Sequence, residues 1–290
     1  MNVINKKPFV GLLAFLVVLF TMPLGHTAMI LMEKIFGSEF QYLAATILGL
    51  IGLVFLWIGT YRESETSTTW LGFFAGVFIW TGWVEFSFIY FAHHVNIAPL
   101  IDNGEVITKP EYLLMPSSIG LLLATGIYFF FNADTRCHFF RWFHRNMNMK
   151  LKNRISRKER NYSLITAIET IYIIWLFYII LLLIYDNQIL GDRHPVTYII
   201  FFGMLMWFLY LFVRLLKFQR MAPAVRYAIP TVIVFWNCVE ILGRWNFFKE
   251  IWIAPQQYAL EMMLIFGAFV GVTVLTILTP KREENYECTQ

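Results

Sequence analysis

The sequence predicts an all-α fold: a polytopic membrane bundle of about eight transmembrane helices. Three observations lead there. Of the 290 residues, 58% are hydrophobic and only 14% are charged, whereas soluble domains run nearer a quarter charged. Apolar runs of about 20 residues, the length that crosses a hydrocarbon core of about 30 Å, recur along the whole chain. Threaded alternately from an inside N-terminus, these runs leave 18 of the 23 Lys and Arg residues on the inner side, as the excess of cations in cytoplasmic loops requires.

The spans are expected at 8–31, 42–60, 70–92, 116–132, 164–185, 196–217, 228–248 and 257–279. The first follows Asn5-Lys6-Lys7 and carries no small-residue cleavage site. It therefore reads as a retained signal-anchor helix. The fourth is the shortest. Tyr61, Trp70, Tyr90, Tyr185 and Tyr258 stand near proposed ends, at the headgroup level that amphipathic rings favour. Eight spans put both termini in the cytoplasm, most simply beneath a plasma (inner) membrane. The length suits a single transmembrane domain, 1–290, with no soluble module.

The loop 133–163 holds nine Lys and Arg among bulky aromatics. That mixture suits an interfacial segment against anionic lipid headgroups, each cation contributing on the order of 1 kcal/mol. A protein partner could dock there instead; nucleic acid is not expected. His138 and His144 are six apart and do not share a helix face.

The third and seventh spans resemble each other. Trp80-Thr81-Gly82-Trp83-Val84-Glu85 is followed by Ile97-Ala98-Pro99, and Trp236-Asn237-Cys238-Val239-Glu240 by Ile253-Ala254-Pro255. The Val-Glu pairs are 155 apart and the triplets 156 apart, so one inserted residue reconciles them. This raises the expectation of two parallel four-helix repeats, 1–132 and 164–279, related by an axis along the membrane normal.

A charge at the bilayer centre costs roughly 2.5–3.5 kcal/mol on the insertion scale, so in-span ionisable groups are the candidates for function. Glu85 lies about 23 Å, and Glu240 about 18 Å, from the inner ends of their predicted spans. Related by the repeat axis, they would face one another across a cavity, an arrangement suited to proton exchange or cation binding. Arg244 stands one turn beyond Glu240, where a helical ion pair is the structural alternative. His26 near the outer end of the first span and Glu261 at the start of the eighth complete the binding or proton-pathway candidates. His93 and His94 close the third span and are weak metal candidates, since adjacent residues diverge by about 100° on a helix. Haem would have only His26 as an in-span axial ligand, and no cofactor is identified. Glu169 reads as a solvated helix start.

Cys137, Cys238 and Cys288 form no CxxC, which argues against a disulfide or thiolate-metal framework. There is no GxSxG, Walker loop, GxGxxG or HExxH, and the chemistries those motifs carry lose their usual signature. Three classes remain: a pathway for a small solute or ion linked to protons through an outward-facing cavity, a membrane-embedded enzyme or redox protein with a His/Glu site toward the outer face, and an assembly or partner-binding subunit.

Overall fold

A computed structural model describes residues 7–102, 105–131, 144, 147 and 161–278. Eight of its helices are long and apolar enough to cross a membrane: α1 (Phe9–Gly37), α2 (Glu39–Thr60), α3 (Glu65–His94), α4 (Pro110–Phe131), α5 (Tyr162–Tyr185), α6 (Pro195–Leu215), α7 (Met221–Arg244) and α8 (Ala259–Thr276). The chain is a multi-pass integral membrane protein. All eight expected spans are present, and most helices run past their expected ends. The basic loop 133–163 lies outside the described residues, apart from His144, Met147 and its last three positions.

A short antiparallel hairpin, β1 (Leu100–Asp102) with β2 (Glu105–Thr108), separates α3 from α4. It marks the hairpin end of the bundle. The opposite, basic end carries Lys7, Arg62, Arg214, Lys217 and Arg220. Pro110 opens α4 at a position that needs no backbone donor. This adds residues to the span that looked shortest.

The expected loop between the first two spans is almost absent. Helix continues through it, interrupted at Gly37, whose φ of 64° and ψ of −176° are essentially open to glycine alone. A Cβ at Gly37 would meet nothing within 4 Å, so its cost is purely conformational. Gly37→Ala is expected to lower stability by about 1–3 kcal/mol. Thermal unfolding in detergent checks this, with Gly25→Ala, inside α1 and also free of neighbours within 4 Å, as the control.

Burial alternates along the chain. In the most apolar stretch of each span, 44, 22, 61 and 11% of residues are buried in α1 to α4, then 50, 22, 61 and 11% in α5 to α8. The odd-numbered helices build the interior and the even-numbered ones wrap it. Val17 and Val18 of α1, Phe73 of α3, Phe177 of α5 and Val225 and Ile229 of α7 share one core cluster. The α3–α5 crossing is held close by small residues. Gly72 and Gly76 are four apart, and a Cβ on Gly72 would collide with the Ser163 backbone, while one on Gly76 would press on Thr170 and Ala167. In lipid, where apolar burial does not distinguish neighbours, such close backbone approach is a main source of helix association.

α2 lies along α3, with Gly49 beneath the Trp83 indole and Gly52 against the Ala75 carbonyl. α6 lies along α7 through Phe208–Phe235 and the stacked Tyr198–Trp245 pair. α4 rests on α5, where Tyr172 donates to the Leu122 carbonyl at 2.6 Å and Trp175 to Ser118 at 2.9 Å.

Candidate functional site

Most of α3 is α-helical, but Trp80–Glu85 forms a π-helical turn. A π-turn closes one residue later than an α-turn and absorbs an extra residue without breaking the helix. This explains the sequence comparison physically. Trp80 precedes Glu85 by five residues and Trp236 precedes Glu240 by four, yet each Trp lies beside the carboxylate of its own turn. Within the π-turn, Trp83 turns to α2, where its Nε1–H donates to the Thr46 carbonyl at 3.2 Å.

Both carboxylates meet a polar ring from the neighbouring interior helix. Tyr178 of α5 donates its hydroxyl to Glu85 at 3.3 Å, and its ring lies 6.1 Å from Trp80. His26 of α1 places Nε2 3.6 Å from Glu240, and its ring stacks 6.2 Å from Trp236. The two rings then face each other, their centroids 6.5 Å apart. His26 is the eighteenth residue of α1 and Tyr178 the seventeenth of α5. All four groups thus lie in one layer, about 24–30 Å from the basic end at 1.5 Å per residue.

The layer differs from the expectation in two ways. Because α3 and α7 begin earlier than their apolar runs, Glu85 and Glu240 stand at nearly equal heights, both displaced toward the hairpin end. The carboxylates also do not touch directly: Tyr178 and His26 stand between them. The remaining sequence candidates are dispersed. Arg244 sets its guanidinium 5.1 Å from the Tyr185 ring centre. Glu261 is exposed in the first turn of α8. His93 is exposed and pairs through Nδ1 with the Tyr42 hydroxyl at 2.9 Å, and His94 stacks on Tyr90. No group of three His, Cys, Asp or Glu able to hold a metal occurs among the described residues. Glu169 is buried, eight residues into α5, which corrects its reading as a solvated helix start.

Toward the hairpin end the layer continues into further polar groups. The Tyr112 hydroxyl lies 3.4 Å from that of Tyr178. Glu111 beside it is buried, and Lys109 reaches Glu33 at 4.0 Å on the exposed rim. On the other flank Glu250 follows α7 in the connecting loop. Burial pushes its carboxyl above the usual range, while Arg244 opposes the shift.

A second polar cluster lies at the basic end. Glu65 in the first turn of α3 accepts from Arg226 of α7 at 2.7 Å and from Arg220 at 2.6 Å. Arg226 also donates to Thr69 at 2.7 Å and lies 4.6 Å from the centre of the Tyr162 ring.

Sequence reasoning located His26, Glu85 and Glu240 by the cost of placing them in a span. It missed Tyr178 and Tyr112, since a phenol in an aromatic-rich span carries no such signal. Arg226 enters the sequence pattern only as one of the 18 inner-side cations. Comparisons with protein-family models, curated proteins and solved structures gave no match. The fold and site together define a class: an eight-span membrane helix bundle with two carboxylates set in an interior polar layer.

Proposed function

We propose that the chain moves a small solute or ion coupled to protons, with Glu85 and Glu240 as the exchanging carboxylates. The observation that carries this reading is the layer itself. Glu85, Tyr178, His26 and Glu240 follow one another across four interior helices, each next to a group that can give or take a proton. Buried ionisable groups are costly in a bilayer, and a series of them mediating between two spans is the arrangement a proton relay uses.

In this reading the hairpin end faces outward and the termini lie inside, supported by the distribution of the 23 Lys and Arg. Tyr112, Glu111, Lys109 and Glu33 would form the outer approach to the layer. The membrane would be the plasma membrane, and the basic segment 133–163 would rest on its anionic inner leaflet. Arg244 and Glu261 would act at the mouth and His26 within the layer. We further propose that residues 1–132 and 164–279 are parallel repeats. The matching burial of the two helix quartets supports this, as do the corresponding pairs His26–Glu240 and Tyr178–Glu85. The repeat axis would then run between His26 and Tyr178.

The test is dissipation of an imposed pH gradient in proteoliposomes. The native chain is expected to collapse the gradient at least about tenfold faster than Glu85→Gln or Glu240→Gln. Gln keeps the shape of the carboxyl but exchanges no proton. Equal rates in native and variant proteins, with all of them folded by circular dichroism, would overturn the proposal.

A further inference from the structure

We propose that the polar layer binds a protonated primary or secondary amine with an apolar body; this rests on the layer being a solute site, as read above. Buried acceptors in the layer lack hydrogen-bond donors. Asn237 is more than nine-tenths buried and its Oδ1 atom has no hydrogen-bond partner, while the buried Glu240 Oε1 meets His26 Nε2 only at 3.6 Å and has the Trp236 indole beside it. Buried polar atoms in folded proteins are almost always satisfied. Asn237 and Glu240 are three residues apart on α7, hence on one face. The Asn237 amide nitrogen is already committed to the Ile233 carbonyl at 2.8 Å, which leaves its oxygen as an acceptor. Two acceptors on one face call for a ligand with at least two N–H donors, and an ammonium supplies them.

Charge and surface agree with that choice. Acidic groups outnumber basic ones around the layer, Glu85, Glu240, Glu111, Glu250 and Glu33 against Arg244 and Lys109, an excess of acceptors that suits a cation. The walls are ring faces: Trp236 carries His26 on one side and Trp252, 4.8 Å away, on another, and Trp80 and Tyr112 flank Tyr178. Such faces attract an organic cation through the ring quadrupole. A small hard metal ion is better served by a full shell of oxygens. The acceptor atoms themselves are sealed, but the layer is not closed on every side. The side chains of His26 and Glu240 keep 22% and 16% of their surface exposed, although both lie within spans.

The experiment is isothermal titration of the full-length protein in detergent with 2-phenylethylamine and with 2-phenylethanol. The alcohol has the same ring and chain but no charge at neutral pH. The amine is expected to bind at least tenfold more tightly than the alcohol. Glu240→Gln and Asn237→Ala are each expected to weaken the amine at least fivefold, and Glu63→Gln, exposed at the basic end, to leave it unchanged. Unfolding temperatures of the variants identify any that fail to fold, and the amine–alcohol comparison on the native chain needs no variant. Equal binding of the two probes, binding of neither, or full retention of amine binding in folded Glu240→Gln would overturn the inference. Proton flux is measured separately. Flux without amine binding sinks only this inference; amine binding without flux sinks the pathway and leaves the site.

Discussion

Arg226→Met is expected to lower the stability of the folded bundle by about 3 kcal/mol, near the lower end of what breaking a buried ion pair costs. The guanidinium is among the most buried charges described, with 6% of its side chain exposed. It joins the start of α7 to the start of α3 through Glu65 and Thr69 and packs on Tyr162. Removing it strands the Thr69 hydroxyl and takes one of two cations from Glu65. Arg220 stays paired with Glu65, which limits the loss. The apparent unfolding temperature in detergent should fall by about 5 °C or more. The double variant Glu65→Gln/Arg226→Met should be less destabilised than the sum of the single variants, because neither partner then faces an unpaired charge. Arg220→Ala, at a half-exposed position, should cost no more than about 1 kcal/mol. If Arg226→Met unfolds at the native temperature, the cluster is not a structural clamp.

The second large effect is steric. Gly72→Leu is expected to prevent α3 from seating on α5, because the first carbon of any side chain there collides with backbone atoms of Ser163. A side-chain neighbour could rotate away, but a helix backbone cannot. Even Gly72→Ala should cost about 1–3 kcal/mol, the usual range for overpacking. The Leu variant should lose the monodisperse folded peak in size-exclusion chromatography. Native behaviour of Gly72→Leu would show that the two helices can stand apart. The consequence would reach the polar layer, since Glu85 and Tyr178 meet across this same α3–α5 crossing.

What was readable from the sequence divides along physical lines. Glu85, Glu240 and His26 were legible because a titratable group in a 20-residue apolar run is expensive wherever the helix goes. The likeness of Trp80–Glu85 to Trp236–Glu240 was legible as a spacing, but not that a π-turn absorbs the extra residue. Which group answers each carboxylate was not legible. Tyr178 is 93 residues from Glu85, and many aromatic positions in α5 would have served equally on composition. Arg226 and Glu65 are 161 residues apart, and nothing in their spacing pairs them.

The amino-acid sequence carries about eight membrane crossings on its own, since hydrophobic length is a local property and each span satisfies its own backbone. It also determined that costly carboxylates stand within two of those spans. Packing of the helices, by contrast, sets α1, α3, α5 and α7 in the interior and His26 and Tyr178 between the carboxylates. It alone makes Arg226 clamp the basic end. Those outcomes depend on the rotation and height of each helix against its neighbours. Such details are set by glycine contacts, the π-turn and true helix starts rather than by apolar content: mean hydropathy runs from 1.4 to 2.4 and does not sort inner from outer helices, since α5 at 2.4 is interior and α6 at 2.2 is not.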